Sequence, residues 1–137
     1  MDQPGTQAWK RHSLAELGYD VPDWLHLVPV DFESGASWSE HLSIAGFEPG
    51  RQAVIVSTGV TMYLTKDATV DTLRQIARLA PGSTLAMTFL LPTELADEVD
   101  RPGLQASQEG ARTSGTPFIS FYTPQEMLAL VLQRSLS

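Results

Sequence analysis

The 137-residue sequence contains no cysteine. That alone excludes disulfides, thiolate catalysis and a cysteine-based zinc site. Basic residues are scarce as well: nine Lys and Arg against sixteen Asp and Glu leave a formal net charge of −7. So acidic a chain lacks the basic face that a nucleic-acid backbone requires, and it suits an anionic membrane surface no better. No apolar run approaches the roughly 18 residues of a membrane-spanning helix. Met1-Asp2-Gln3-Pro4-Gly5 is not a basic segment leading into an apolar one, so no classical signal peptide is visible and a cytoplasmic location is expected. His12, His26 and His41 have no metal-like spacing, and no His-Glu-x-x-His pattern exists, so no metal site is expected. No serine lies in a Gly-x-Ser-x-Gly elbow, which leaves an α/β-hydrolase nucleophile unsupported.

What is present is enough apolar material, 42% of residues, for one domain with a real core. Residues 6–17 read as a helix with Ala8, Trp9, Leu14 and Leu17 apolar, closed by Gly18. A strand is expected over 26–32. Ser37-Trp38-Ser39-Glu40 then forms a capping box opening a short helix that stops at Gly46. Residues 53–58 form a second strand, whose continuous Val54-Ile55-Val56 run is the pattern of a strand buried on both faces. Thr65 to Leu79 is the clearest helix, with Val70, Leu73 and Ile76 at helical spacing. Pro81-Gly82 ends it, and Ser83 to Leu91 reads as a third strand. Strand–helix–strand–helix–strand implies an α/β layered sheet with right-handed crossovers.

Beyond Pro92 the chain becomes acidic. Glu94, Asp97, Glu98 and Asp100 are expected on a weakly amphipathic helix interrupted by Pro102-Gly103, as a solvated face. Thr123-Pro124-Gln125-Glu126 is a second capping box, opening a final helix through Met127, Leu128 and Leu132.

Ligands of parallel sheets bind at the carboxyl ends of strands, so the candidate site residues lie there. Asp31 could accept a hydrogen bond from the exocyclic amine of an adenine, with Phe32 as an apolar wall; the alternative is an Asp that opens a turn. Gly59, after Ser57 and Thr58, would let a ligand approach the backbone, or would simply relieve a tight strand-to-helix turn. Tyr63 either presents its hydroxyl to a substrate or is a half-buried core aromatic.

A series of segments gives the chain a resemblance. Asp2-Gln3-Pro4-Gly5 with Lys10, Val28-Pro29-Val30-Asp31-Phe32, then Trp38, Leu42 and Gly46-Phe47 occur in order. They are followed by Gly59-Val60-Thr61-Met62-Tyr63-Leu64-Thr65, Ala80-Pro81-Gly82-Ser83, Gly115-Thr116-Pro117-Phe118 and Thr123-Pro124-Gln125-Glu126-Met127. In this order they resemble the S-adenosylmethionine-dependent methyltransferases of the leucine carboxyl methyltransferase type, in particular the bacterial O-methyltransferases associated with polyketide synthesis. The likeness implies an incomplete doubly wound, Rossmann-like class I methyltransferase sheet of three strands with flanking helices. It also implies S-adenosyl-L-methionine as cofactor and a small-molecule methyl acceptor, with transfer to a carboxylate or hydroxyl oxygen. By the same resemblance Asp31 and Phe32 contact adenine, Asp2, Thr58 and Gly59 belong to the cofactor site, and Tyr63 is the catalytic-pocket aromatic.

The sequence departs from the family in three ways. The family's Gly-rich loop and the ribose-binding acidic residue would precede Met1, Thr58 stands where a Glu is usual, and the family's closing strands would follow Leu132. Residues 1–137 are therefore expected to be a single partial domain, with 93–122 as its lid. In the family strand order 3-2-1-4-5-7-6 the Leu27–Val30 strand would lack a ladder partner, at roughly 1–3 kcal/mol for each buried unpaired group. Open edges of that kind point to self-association. The rival expectation is a non-catalytic remnant or an interaction module without the cofactor glycine loop.

Overall fold

A computed structural model of the chain describes residues 1–135. It divides into a first compact unit, Met1–Arg51, and a second that begins at Gln52.

The first unit holds helices α1 (Pro4–Glu16) and α2 (Trp38–Ile44). Pro4 stands in the first turn of α1, where its missing N–H has no partner to lose. At the far end Gly18 N donates to Ala15 O at 3.0 Å and Tyr19 N to Leu14 O at 2.9 Å, the paired bonds of a Schellman stop. Helix α2 ends in the same way at Gly46 and Phe47. Its start is half a capping box: Glu40 N donates to Ser37 Oγ at 3.4 Å.

The expected strand over 26–32 does not form. Instead a single isolated parallel bridge joins Asp2 to Pro29. Asp2 N donates to Val28 O at 3.3 Å, and Val30 N donates to Asp2 O at 2.8 Å. Gln7 Nε2 adds a second donor to Val28 O at 3.2 Å. The expected lack of a partner for Leu27–Val30 is thus corrected, because Asp2 supplies one. One residue of neighbouring backbone makes a bridge, and a regular ladder needs more. Val28 and Val30 are buried, and Trp38 from α2 is buried with them in this unit's core.

The second unit contains the only regular sheet among the described residues: β1 (Val54–Ser57) and β2 (Thr84–Met87), parallel, with Val54 opposite Thr84 and Ser57 opposite Met87. Two strands therefore stand where three were expected. They are joined through α3 (Lys66–Ala77), which Thr65 caps by accepting from Ala68 N at 3.2 Å. Helices α4 (Arg101–Thr113) and α5 (Pro124–Ser135) follow, and α3 packs on α5. Met62, Leu64, Ala68, Leu73, Leu79, Tyr122 and Met127 form the core.

Two further expectations fail here. Strand β1 is not buried on both faces: Val54 is 77% and Val56 65% exposed, while Ile55 and Ser57 are half-buried. A continuous apolar run shows that a strand suits two covering layers; it does not show that both layers are within the chain. The four acidic residues also do not share a helix. Thr93–Leu95 is one 3₁₀ turn, and α4 starts only at Arg101, with Pro102 in its first turn. Proline opens this helix, since it is tolerated there and nowhere deeper. The Arg101 guanidinium ties the preceding turn down, donating to Ala96 O at 3.0 Å and Glu94 O at 3.2 Å. Among the described residues no helix is long and apolar enough to cross a membrane.

Candidate cofactor-site residues

In the first unit, Val30 leads the chain out of the core and Asp31 begins a turn at the surface. Asp31 Oδ1 accepts from Glu33 N at 3.0 Å and from Gln3 Nε2 at 3.2 Å. Ser34 Oγ donates to Asp31 O at 2.7 Å, closing the turn. The turn-opening role of Asp31 is therefore real. Yet it uses one carboxylate oxygen only, and Oδ2 meets no donor among the described residues. Phe32 follows, half-buried. Gln3 brings Asp2 to the same turn, with Gln3 N donating to Asp2 Oδ1 at 2.8 Å. Asp2, Asp31 and Phe32 are thus gathered by a short backbone bridge and one side-chain bond across 28 residues.

The second unit holds the rest. Strand β1 ends at Ser57, Thr58 is exposed, and Gly59 takes a left-handed φ of 67°. Space around Gly59 is open, since a Cβ there would meet nothing within 4 Å. Its N–H is not available to a ligand, because it donates to Thr88 Oγ1 at 3.0 Å. Thr61 Oγ1 in turn donates to Thr88 O at 3.0 Å, so Thr88 holds both ends of this loop. A 3₁₀ turn, Thr61–Tyr63, buries Met62 and leaves Tyr63 44% exposed. Phe118 meets the Tyr63 ring edge-on, with centroids 5.4 Å apart.

Segment 118–122 anchors this loop from a distance that sequence gave no means of seeing. Ile119 N donates to Met62 O at 2.7 Å, and Ser120 Oγ donates to Leu64 O while buried. Tyr122 is buried, with Phe89 edge-on at 6.5 Å and Lys66 Nζ 5.4 Å above its ring; its hydroxyl has no partner among the described residues. Thr88 and Phe118 are not among the site residues expected from the sequence. A lone Thr carries no signal of its own, although Phe118 lies within the resembling segment Gly115–Phe118.

What these groups suit chemically is limited and specific. A carboxylate oxygen without a donor can accept from a ring amine, and an uncovered glycine admits a polar ligand close to the chain.

Comparison with known proteins gives the family of the chain. The family model of leucine carboxyl methyltransferase matches residues 1–77. A protein of Mycobacterium bovis is 31% identical over 134 residues, covering 96% of this chain and 38% of its own length. One from Mycobacterium avium is 33% identical over 91 residues, covering 66% of this chain and 29% of its own. One from Bacillus subtilis is 26% identical over 128 residues, covering 93% of this chain and 41% of its own. All three carry provisional names as S-adenosyl-L-methionine-dependent methyltransferases. This chain spans 29–41% of the length of these relatives. It belongs to the leucine carboxyl methyltransferase family.

Proposed function

We propose that the chain forms the adenine-side part of an S-adenosyl-L-methionine-dependent methyltransferase that transfers to an oxygen of a small-molecule carboxylate or hydroxyl. The observation that carries this reading is the free Oδ2 of Asp31 at the turn that half-buried Phe32 continues. When bound, the cofactor supplies an activated methyl group, and transfer is mainly a matter of alignment with the acceptor. This chain's residues bind and orient. Asp31 accepts from the adenine amine, Phe32 flanks the ring, and Asp2 offers the carboxylate oxygen that Gln3 leaves unused. In the second unit Thr58 and Gly59, with its open side, are the candidate cofactor residues. Tyr63, with its ring fixed by Phe118, lines the acceptor pocket, and segment 93–122 serves as its lid.

The test is calorimetric titration of the chain with S-adenosylhomocysteine, repeated on Asp31→Asn. That substitution keeps an acceptor oxygen for the turn and replaces the free oxygen by a donor. Weak binding that falls about tenfold is expected, the usual worth of one hydrogen bond to a charged group. Equal affinity of the two proteins would sink the adenine assignment.

A second reading, an interaction module without catalysis of its own, is favoured by a different observation. One face of the two-stranded sheet, with Val54 and Val56, is bare. Parallel sheets are ordinarily covered on both faces. Under this reading the chain associates in sedimentation experiments and shows no titratable S-adenosylhomocysteine binding.

A further inference from the structure

The first unit also contains an open cleft of about 520 Å³, a volume typical of small-molecule sites. The chain between α1 and Pro29 forms one wall and the end of α2 the other, with Val21, Leu25, Leu27, Val28 and Ile44 providing apolar surface. Asp2, Asp31 and Phe32 do not line it. It lies toward the start of the Leu27–Val30 segment, whereas Asp31 and Phe32 follow that segment's end. Ile44 is 87% exposed, a large apolar side chain that nothing in the described structure covers.

The polar groups of the cleft are unusual for their surroundings. Residues 1–51 contain three Lys and Arg against eight Asp and Glu. Yet Arg11, His26 and His41 line the cleft together, with Asp23 as its one acid. The side chains of Arg11 and His26 form no hydrogen bond or ion pair with any described residue. The guanidinium keeps all five of its N–H donors for a ligand. His41 Nδ1 lies 2.9 Å from Ser37 O; a carbonyl only accepts, so Nδ1 carries the proton and the ring is held while Nε2 stays free.

We propose that this cleft binds a small amphiphile with an apolar body and an anionic head, a medium-chain carboxylate being the simplest member of the class. The body covers Ile44 and the Val and Leu side chains. Arg11 takes the carboxylate by paired N–H bonds, with His26 beside it, while the held His41 ring contributes its flat surface to the wall. Asp23 opposes the head, so loss of its charge strengthens binding.

The experiment follows amide chemical shifts of the full chain during titration with octanoate, octylamine and octanol. Octanoate is expected to perturb residues 21–29 and 41–45 and to bind at least about tenfold more tightly than octylamine, given what a charged hydrogen bond is worth. Arg11→Gln is expected to weaken octanoate about tenfold, leaving octanol binding and the melting temperature unchanged. Asp23→Asn is expected to tighten octanoate. Equal affinities for octanoate and octylamine, perturbations elsewhere in the chain, or an Arg11→Gln variant that binds octanoate normally would each overturn the proposal. Asp31→Asn serves as the independent control: it leaves octanoate binding intact, so failure of the adenine assignment and failure of this cleft are read separately.

Discussion

Gly59 and Gly82 both adopt left-handed backbone, with φ of 67° and 86°, but their surroundings differ. At Gly59 a Cβ meets nothing within 4 Å. Gly59→Ala is therefore expected to cost only the conformational penalty, about 1–2 kcal/mol. At Gly82 the Cβ would collide with the amide group of Gln52, whose Nε2 donates to Pro81 O at 3.1 Å. Gly82→Ala is expected to cost more than Gly59→Ala, and the excess is expected to disappear in a Gln52→Ala background. Urea denaturation of the four variants measures the difference. Ser120 makes a different kind of contribution, because its hydroxyl reaches Leu64 O across 56 residues in a buried place. Ser120→Ala leaves that carbonyl unpaired, for an expected loss of about 1–3 kcal/mol in the same assay. Asp31, Gly59 and Tyr63 stand out in the sequence as candidates because strand ends and glycines have local signatures. Thr88 and Ser120 do not stand out, because their roles come from bonds to backbone far away in the chain.

Helix boundaries were the most legible elements. Thr65 to Leu79 is expected from apolar spacing and the Pro81-Gly82 stop, and Lys66–Ala77 is observed, capped by Thr65. Strands were less legible. The apolar content of Leu27–Val30 is real, but a regular strand needs a neighbour of several residues, and Asp2 contributes a single bridge. The Thr123–Glu126 box is complete, unlike that at Ser37: Thr123 N donates to Glu126 Oε2 at 2.8 Å, and Glu126 N to Thr123 Oγ1 at 3.1 Å. The Thr123 backbone amide, then its side chain, then the charge of Lys66 hold the Glu126 carboxyl below its ordinary range. A depressed folded-state pKa means that the cap stabilises fully at pH above the unfolded carboxyl value. The contribution is lost as pH falls through the lower folded value. The protection factor of the Thr123 amide, the exchange rate of an unstructured chain relative to its own at the same pH, is therefore expected to fall on acidification through that window. Glu126→Gln is expected to abolish the acid-side change, and a variant that kept it would assign the effect to another group.

At the scale of the whole molecule, the two-stranded sheet is the feature that local sequence could not convey. Its strands carry the apolar content of a central, doubly covered sheet, but Val54 and Val56 lie open and each strand has one edge without a strand partner among the described residues. Periodicity reports the environment a strand is suited to, and the layers that complete that environment are set by distant chain. Bare faces and open edges of this kind favour association. Val56→Lys tests the physical consequence. The side chain is already 65% exposed, so equilibrium stability of the chain is expected to change by no more than about 0.5 kcal/mol. The added charge lies on the apolar face, so concentration-dependent association by sedimentation is expected to fall. A large loss of stability would mean that Val56 is covered in solution, and unchanged association would move the self-associating surface away from this face.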